Sequence, residues 1–484
     1  MRTRNLLTRK FAFLFRRCGV MFFCRDIELQ TLNQRYNGDD FECIIIYGRR
    51  RVGKTALINE FCKNKPVIFF SALNASAQEN LDALSASIYQ YKNSDYGSSP
   101  VFRNFEDAFM EITRLSQQQR LIFVIDEYPY LARADKSVSS RLQHIIDHVW
   151  QNSRIYLILC GSSMSFMEYQ VLGYESPLYG RRTAQMKIQP LTYRESAEFY
   201  PQLNLEDQSL LYGITGGIPH YINKMNITDT IDEALLQNLF HTSGYLFEEP
   251  ENLLKQELRE PAVYNSIIIA IAGGASRANE ISTKTGLESG ACAKYLQVLL
   301  KLGILKKETP VSEKSGKKTI YRIEDNFFRF WYRFVPKNMS LISSGRFPAV
   351  YEKAVKQYFP DYMGLIFEKM CRDFLVRYAD GSSVVYQEIG QWWGTDPKTH
   401  KQIQIDIVGL PLEGSEYLIG SCKYKNTRVG TDELALLTEY AHVFRREGTF
   451  RYCIFSKGGF TEALLQSEKE GKVTLYTLED LYGI

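Results

Sequence analysis

The feature that most constrains this chain is the sequence GRRRVGKT at residues 48–55, which joins an apolar run to a segment with helical spacing. Residues 41–46 predict a buried strand, and residues 56–61 predict a helix. A loop between a strand and a helix, with glycines that let its backbone fold around an anion, is typical of a phosphate-binding loop. We therefore expect the loop amides to face phosphate and Lys54 to bring a positive charge to the outer phosphates of a nucleotide.

A second stretch ends in two carboxylates and supports this prediction. Residues 121–125 are all apolar, as in a buried parallel strand, and Asp126 and Glu127 follow where such a strand opens onto a ligand. We expect Asp126 to hold magnesium with the Thr55 hydroxyl, and Glu127 to orient the attacking water. Because this stretch lies about 70 residues beyond the loop, it favours hydrolysis over simple nucleotide binding. The predicted nucleotide-binding residues are Gly48, Arg49, Arg50, Arg51, Val52, Gly53, Lys54 and Thr55.

Other polar side chains flank strands of the same region. Ser162 follows the apolar run at 155–160, where it would sense the terminal phosphate, and it is equally compatible with a helix N-cap. Arg181 and Arg182 precede a predicted strand at 184–188. One of them would act as an arginine finger that neutralises charge in the transition state, or both are solvated surface residues. Strands and helices alternate throughout, which predicts a parallel sheet covered on both faces.

The size and composition of the chain bound its class. Its 484 residues are too many for one core and predict two to four domains, while 45% hydrophobic and 24% charged residues are typical of a soluble globular protein. The net charge of +4 is small, so any nucleic-acid contact must come from a local patch. Nine cysteines without a C-x-x-C pair indicate reduced thiols in the cytoplasm. No apolar run approaches 18 residues, so we expect no membrane span.

The first 20 residues form a basic extension without an acidic residue. The apolar core of this extension is too short for a signal peptide. It is either a basic helix that binds a surface or the product of a translation start placed ahead of Met21. Farther along the chain, the two glycines and the proline of residues 215–221 predict a rigid bend, which would be the hinge of a helical lid over the nucleotide.

The middle of the chain resembles a winged helix-turn-helix module. Three helical segments are predicted at 264–272, 278–284 and 289–302, and two strands follow with a turn between them. Residues 294–333 hold ten basic and four acidic residues. As a DNA reader, the third helix would enter the major groove while Lys314, Lys317 and Lys318 contact phosphates. As part of a switch, the module would pack within the chain and report which nucleotide is bound. The aromatic segment at 326–334 is expected to be a packed junction.

Five blocks of sequence in this order resemble the archaeal-type ATPase family, a branch of the AAA/STAND class of P-loop proteins. They are GRRRVGKT, FVIDEYPYL, LILCGSSMSFM, LYGRRTAQMKIQPL and ITGGIPHYI. The resemblance covers about residues 22–245. It implies ATP binding by the loop, magnesium at Thr55 and Asp126, Glu127 as the catalytic carboxylate, and a catalytic role for Arg181 or Arg182.

The last part of the chain resembles a domain often fused to such ATPases and related to PD-(D/E)XK nucleases. A nuclease of this kind needs two carboxylates to hold magnesium and a lysine to position water. Asp406 and Lys423 match two of these positions, but Ser421 stands where the family has Glu. Glu368, on a predicted helix, or Glu388 would be a partial substitute. The resemblance therefore implies an incomplete nuclease site, and a binding role for the domain.

Together these observations predict a multidomain α/β protein. Its parts would be a P-loop ATPase core at 21–190, a helical lid and connector at 191–260, a winged helix at 261–335 and a restriction-endonuclease-like domain at 336–484. We expect a cytoplasmic ATPase that uses ATP and Mg²⁺, forms a homo-oligomer, and couples its nucleotide state to the later modules. The alternative is a DNA-binding regulator or defence factor with slow ATP turnover and an inactive nuclease domain.

Overall fold

The computed structural model of the protein describes residues 24–92, 101–313, 316, 318–379, 384–445 and 447–484. They form two compact units. The first holds the described residues up to Phe199 together with Gly217–Asn223, and the second holds Tyr200–Gly216 and Lys224–Ile484. The basic amino-terminal extension lies outside the described residues. None of the helices in the described ranges has the length and apolar character needed to cross a membrane.

A five-stranded parallel sheet is the centre of the first unit. Its strands lie in the order β2-β3-β4-β1-β5. The strands β3 and β4 are buried along their whole length, which explains why their sequences are continuous apolar runs. The strands are β1 Glu42–Tyr47, β2 Val67–Ser71, β3 Leu121–Asp126, β4 Ile155–Gly161 and β5 Ala184–Lys187. The predicted α/β class with a parallel sheet is thus confirmed.

Helices connect these strands and pack on the sheet. The α4 helix begins at a cap in which the Asn104 side chain accepts the Asp107 amide at 2.8 Å. Its apolar face places Phe109 against Trp150 and Phe123 in the core. The helices of this unit are α1 Asp26–Tyr36, α2 Lys54–Cys62, α3 Ala77–Lys92, α4 Phe105–Ser116, α5 Tyr128–Ala134, α6 Val138–His148, α7 Met164–Phe166 and α8 Tyr193–Ala197. Because all five strands are parallel, their carboxyl ends lie together at one edge of the sheet.

The second unit begins with helices and one hairpin. They are α9 Leu205–Thr215, α10 Pro219–Met225, which starts in the first unit, α11 Ile231–Leu235, α12 Glu249–Glu257, α13 Pro261–Ala272, α14 Ala278–Thr285, α15 Ser289–Lys301, β6 Leu305–Glu308, β7 Ile320–Ile323 and α16 Asn326–Phe334. The strands β6 and β7 pair antiparallel. Seven of the nine residues of α16 are buried, namely Asn326 and six aromatic residues. This burial is what a packed junction requires.

The connector at 240–260 is less helical than its sequence suggests. The chain turns back at Gly244, and the Leu246 amide donates to the Asn238 carbonyl oxygen at 3.0 Å. A Cβ atom on Gly244 would lie 2.5 Å from that same oxygen, so this turn requires glycine. Helix resumes only at Glu249.

A mixed five-stranded sheet closes the second unit, in the order β12-β11-β10-β9-β8. The strands β8, β9 and β10 pair antiparallel, whereas β10, β11 and β12 are parallel. The remaining elements are α17 Met339–Leu341, α18 Phe347–Val350, α19 Phe359–Arg377, β8 Tyr386–Thr395, β9 Gln402–Pro411, β10 Glu416–Lys423, α20 Thr431–Phe444, β11 Thr449–Ser456, α21 Glu462–Lys469, β12 Thr474–Thr477 and α22 Leu478–Tyr482. The long helix α19 is tied to α9 because the Tyr362 hydroxyl donates to the Gly213 carbonyl at 2.7 Å.

The tight packing of β10 makes Gly420 a sensitive position. A Cβ atom there would lie 2.6 Å from the Cys453 sulfur and 3.1 Å from the Ile407 Cβ. We expect Gly420→Ala to destabilise the second unit by about 1–3 kcal/mol through overpacking. Gly364→Ala on α19 is the control, since no heavy atom lies within 4 Å of the added methyl. Thermal unfolding followed by circular dichroism measures the difference, and an equal fall in the two midpoints would contradict the described packing.

Candidate functional site

The phosphate loop leaves β1 and turns directly into α2. A Cβ atom on Gly48 would lie 2.5 Å from the carbonyl oxygen of Ile188, so the loop can pass this segment only without a side chain. Gly53 precedes the helix with φ 94° and ψ 21°, a left-handed conformation that favours glycine. Val52, between them, is fully buried. The two glycines of the motif are therefore required by the backbone path. The first amides of α2 have no acceptor within the helix and face the loop.

Lys54 lies across this loop rather than in solvent. Its side chain is 7% exposed, and its ammonium donates at 3.0 Å to the carbonyl oxygens of both Gly48 and Arg49. Burial lowers the pKa of Lys54, while the nearby Asp126 and Glu127 carboxylates oppose that shift. The positive charge is thus held where an anion in the loop would meet it.

Thr55 and Asp126 meet although they are far apart in sequence. The Thr55 hydroxyl donates to Asp126 Oδ2 at 2.9 Å. The other oxygen of Asp126 accepts the Glu127 amide at 3.0 Å, which fixes the carboxylate plane. A hydroxyl and a carboxylate are hard oxygen donors, which suit Mg²⁺.

Glu127 occupies an unusual backbone conformation. Its φ of 50° and ψ of 42° are left-handed, which costs a residue with a side chain roughly 1–2 kcal/mol. Ser162 at the end of β4 holds the carboxylate, because its amide at 3.3 Å and its hydroxyl at 2.9 Å both donate to Glu127 Oε2. Strain of this kind concentrates at functional sites. The structure therefore brings together Lys54, Thr55, Asp126, Glu127 and Ser162 at the carboxyl edge of the sheet.

Arg181 and Arg182 do not join this group. They lie just before β5, next to the start of β1, where the Thr183 amide donates to the Cys43 carbonyl at 2.9 Å. The phosphate loop follows the opposite end of β1, about 16 Å away at the rise of a strand. Arg181 makes a two-point ion pair with Asp147 at 3.0 and 2.9 Å. Within one chain, this placement excludes both arginines from the phosphate loop, because the sheet separates them from it.

The residues predicted as an incomplete nuclease site lie in one region of the second unit. Glu368 on α19 and Asp406 on β9 lie near each other, and burial together with Asp406 raises the pKa of Glu368 to about 7. Asp406 Oδ2 accepts the Cys422 amide at 3.0 Å. Lys423 pairs with Glu433 at 2.9 Å, and its charge also acts on Asp406. Among the described residues, no group of three or more His, Cys, Asp or Glu side chains is placed to hold a metal ion.

Comparisons with known proteins identify two regions of the chain. Residues 22–225 match the ATPase domain found predominantly in Archaea, and residues 331–434 match a family of archaeal and bacterial proteins of unknown function. Residues 22–225 are thus similar to an archaeal-type ATPase domain, as the sequence blocks in that part of the chain led us to expect.

The relatives agree with this assignment. An uncharacterized protein of Methanocaldococcus jannaschii is 29% identical over 469 residues, covering 95% of this chain and 100% of that protein. An uncharacterized ATP-binding protein of the same archaeon is 50% identical over 48 residues, or 10% of this chain and 81% of its own length. The chain also resembles a solved Walker-type ATPase of Pyrococcus abyssi, with a TM-score of 0.51, 20% identity, and coverage of 64% of this chain and 96% of that one. At this identity the likeness shows the fold.

The phosphate loop is also held by residues that the motif does not reveal. Arg25 is buried and donates to the carbonyl oxygens of Val52 at 3.2 Å and Gln189 at 2.6 Å. Nothing in the sequence around Arg25 indicates that it joins the loop to the chain after β5. Likewise, Arg50 donates to the Tyr130 hydroxyl at 2.7 Å, a contact across 80 residues. Such contacts depend on the fold and cannot be found from spacing.

The turn at 217–221 also lies against the phosphate loop. A Cβ atom on Gly53 would come within 3.8 Å of the Pro219 ring, and the Arg51 guanidinium lies 5.8 Å from the centre of the Tyr221 ring. The Leu191 amide donates to the Gly217 carbonyl at 2.8 Å. The predicted bend is therefore part of the wall of the site.

The position of Lys54 leads to a direct prediction. Lys54→Ala should weaken ATP binding by about two orders of magnitude or more, since it removes a charge-assisted contact and leaves the carbonyls of Gly48 and Arg49 without their donor. Isothermal titration calorimetry of the full chain measures the change. Lys63→Ala, at the other end of α2 with a 65% exposed side chain, is the matched control and should bind as the wild type does. Equal affinities for all three proteins would contradict the role of Lys54.

Proposed function

We propose that the chain binds ATP with magnesium at the carboxyl edge of β1, β3 and β4 and hydrolyses it. The observation that carries this proposal is the 2.9 Å hydrogen bond from Thr55 to Asp126. It joins the end of the phosphate loop to the end of the carboxylate strand, beside the buried ammonium of Lys54. A binding loop alone would not need this carboxylate, whereas phosphoryl transfer from a magnesium complex does.

The residues present fit a magnesium nucleotide. Thr55 and Asp126 would hold the metal, directly or through water, and the loop from Gly48 to Gly53 would hold the phosphates with its amides. Magnesium ATP, when bound, supplies the phosphoanhydride bond that is cleaved. Lys54 would exchange its two carbonyl partners for phosphate oxygens, so its charge stays paired when the ligand enters.

Glu127 is the proposed group that orients the attacking water and takes its proton. Its carboxylate is now held by the amide and hydroxyl of Ser162. When Glu127 turns toward the water, both donors of Ser162 become available to the terminal phosphate. Ser162 would thus serve as a sensor, because its partner differs between the empty and the bound site.

We further propose that the ATPase acts as a switch for the later modules, at the boundaries predicted from the sequence. The lid and connector at 191–260, the winged helix at 261–335 and the nuclease-like domain at 336–484 would respond to the nucleotide state. Arg181 and Arg182 would act as fingers only on a second copy of the chain, which makes a homo-oligomer part of this proposal. The nuclease-like domain would bind rather than cut, since Lys423 is paired with Glu433 and Ser421 replaces a carboxylate.

The proposal predicts that Glu127→Gln separates binding from hydrolysis. The amide keeps the size of the side chain but cannot take a proton, so ATP binding should stay within about threefold while turnover falls by about 100-fold or more. Phosphate release measured alongside calorimetry distinguishes the two effects. Glu106→Gln, on the exposed face of α4, is the control and should retain full turnover. Wild-type turnover in Glu127→Gln would rule out the assigned role.

A second candidate function, DNA contact, is favoured by the surface of α15. Leu296 and Leu299 are buried, whereas Lys294, Gln297 and Lys301 lie on the exposed face of the same helix. An exposed basic face on the third helix of such a module is what a major-groove reader presents. On the wing, Lys314 and Lys317 lie outside the described residues, and Lys318 is exposed with Glu313 at 3.7 Å.

The DNA alternative makes a prediction about salt. If α15 contacts phosphates, binding to duplex DNA should weaken steeply as the salt concentration rises. The double variant Lys294→Ala with Lys301→Ala should reduce the magnitude of the slope of log K against log salt by about two. Fluorescence anisotropy at several salt concentrations measures the slope. Lys472→Ala, at a 63% exposed position, is the control. If the wild-type protein binds no duplex DNA at low salt, DNA contact is excluded and the switch remains as the proposed role of the module.

A further inference from the structure

The hairpin of β6 and β7 is docked on the carboxyl-terminal sheet. Just beyond β6, the Val311 amide donates to the Gln391 carbonyl on β8 at 2.8 Å. The Val311 side chain is 1% exposed and belongs to the hydrophobic core of that sheet, with Ile405 and Val408. Val311, which lies between β6 and β7, thus forms part of the core of the carboxyl-terminal sheet.

An alternating chain of charges holds the same hairpin to α19. Lys369 on α19 pairs with Glu324, which lies 3.3 Å from Lys306 on β6. Lys306 pairs with Glu308, and Glu308 lies 3.0 Å from Arg322 on β7. Although burial alone would raise it, Lys369 and Lys306 lower the pKa of Glu324 to about 2. Two basic side chains of the hairpin are therefore engaged inside the chain.

Gln391 connects this docked hairpin to the carboxylate pair. Its backbone oxygen accepts the Val311 amide, and its side-chain amide donates to Glu368. Gln391 is 7% exposed, and the Glu368 side chain is 13% exposed. Glu368 is surrounded by Asp406 and Arg372 from its own domain and by Arg322 and Glu308 from the hairpin. The hairpin thus forms one wall of the place where the two carboxylates lie.

We propose that the hairpin and Val311 form a latch that docks on β8 and α19 and shields Glu368 and Asp406 from solvent. This inference does not depend on nucleotide binding or on DNA contact. The carboxylate pair becomes accessible only when the latch leaves.

The close approach of Val311 to β8 supplies a selective test. A Cβ atom on Gly390 would lie 2.7 Å from Val311 Cγ2, so Gly390→Ala should push the latch away. Adding Val311→Ala removes that methyl and makes room again. Carbodiimide-driven coupling of an amine to carboxylates, read by mass spectrometry on the full chain, reports access to Glu368 and Asp406. We expect Gly390→Ala to raise their labelling about fivefold or more, and the double variant to bring it back toward the wild type. Gly364→Ala should change nothing.

A second variant keeps the test decisive if Gly390→Ala disturbs the sheet. Glu324→Gln removes the centre of the charge chain at constant volume and should also raise labelling at Glu368. Hydrogen exchange of the β10 and β11 amides shows whether the sheet stays folded in the variant. The sheet must stay folded if the labelling is to report release of the latch. The proposal is overturned if Glu368 in the wild type is labelled as fast as the exposed Glu413. It is equally overturned if Glu324→Gln speeds exchange of the hairpin amides but leaves carboxylate labelling unchanged.

Discussion

Parallel pairing of β1, β3 and β4 is the constraint on which the nucleotide site depends. Three neighbouring parallel strands must release their loops at the same edge, so the phosphate loop, the Asp126-Glu127 pair and Ser162 meet without any local signal between them. The hydrogen bonds from Thr55 to Asp126 and from Ser162 to Glu127 are the result. A slip of one strand by a single residue would move these groups apart by about 3.3 Å.

The same constraint explains which parts of the site could be predicted from sequence. Lys54 and Thr55 follow from a motif, and Asp126 and Glu127 follow from a buried strand that ends in acids, because in both cases the chemistry lies next to its structural signal. Arg25, Tyr130 and Tyr221 could not be found this way, since their contacts with the loop join segments that are distant in sequence. For Arg181 and Arg182 the sequence predicted a catalytic role but not the position. The direction of β5 places them at the edge of the sheet opposite the phosphate loop, so their catalytic role stays a prediction that requires a second copy of the chain.

Prediction of the fold follows a similar division. Most of the first sheet was predictable because β1, β3 and β4 consist mainly of apolar runs followed by a turn signal. The break in the helical connector at 240–260 was not predictable, since the bend depends on how closely Gly244 approaches the Asn238 carbonyl. The docking of Val311 on β8 was also invisible in the sequence, where that valine reads as part of a hairpin turn. Contacts between modules are set by shape and burial, and no short pattern encodes them.

The path of the chain between its two units has a consequence for how such proteins change over time. The backbone passes from one unit to the other after Phe199, Gly216 and Asn223, and α9 belongs to the second unit although residues of the first unit follow it. A recombination event with a single breakpoint therefore cannot exchange the carboxyl-terminal part cleanly. It would separate α9 from α16 and α19, which pack on it, so the two units are expected to be inherited together.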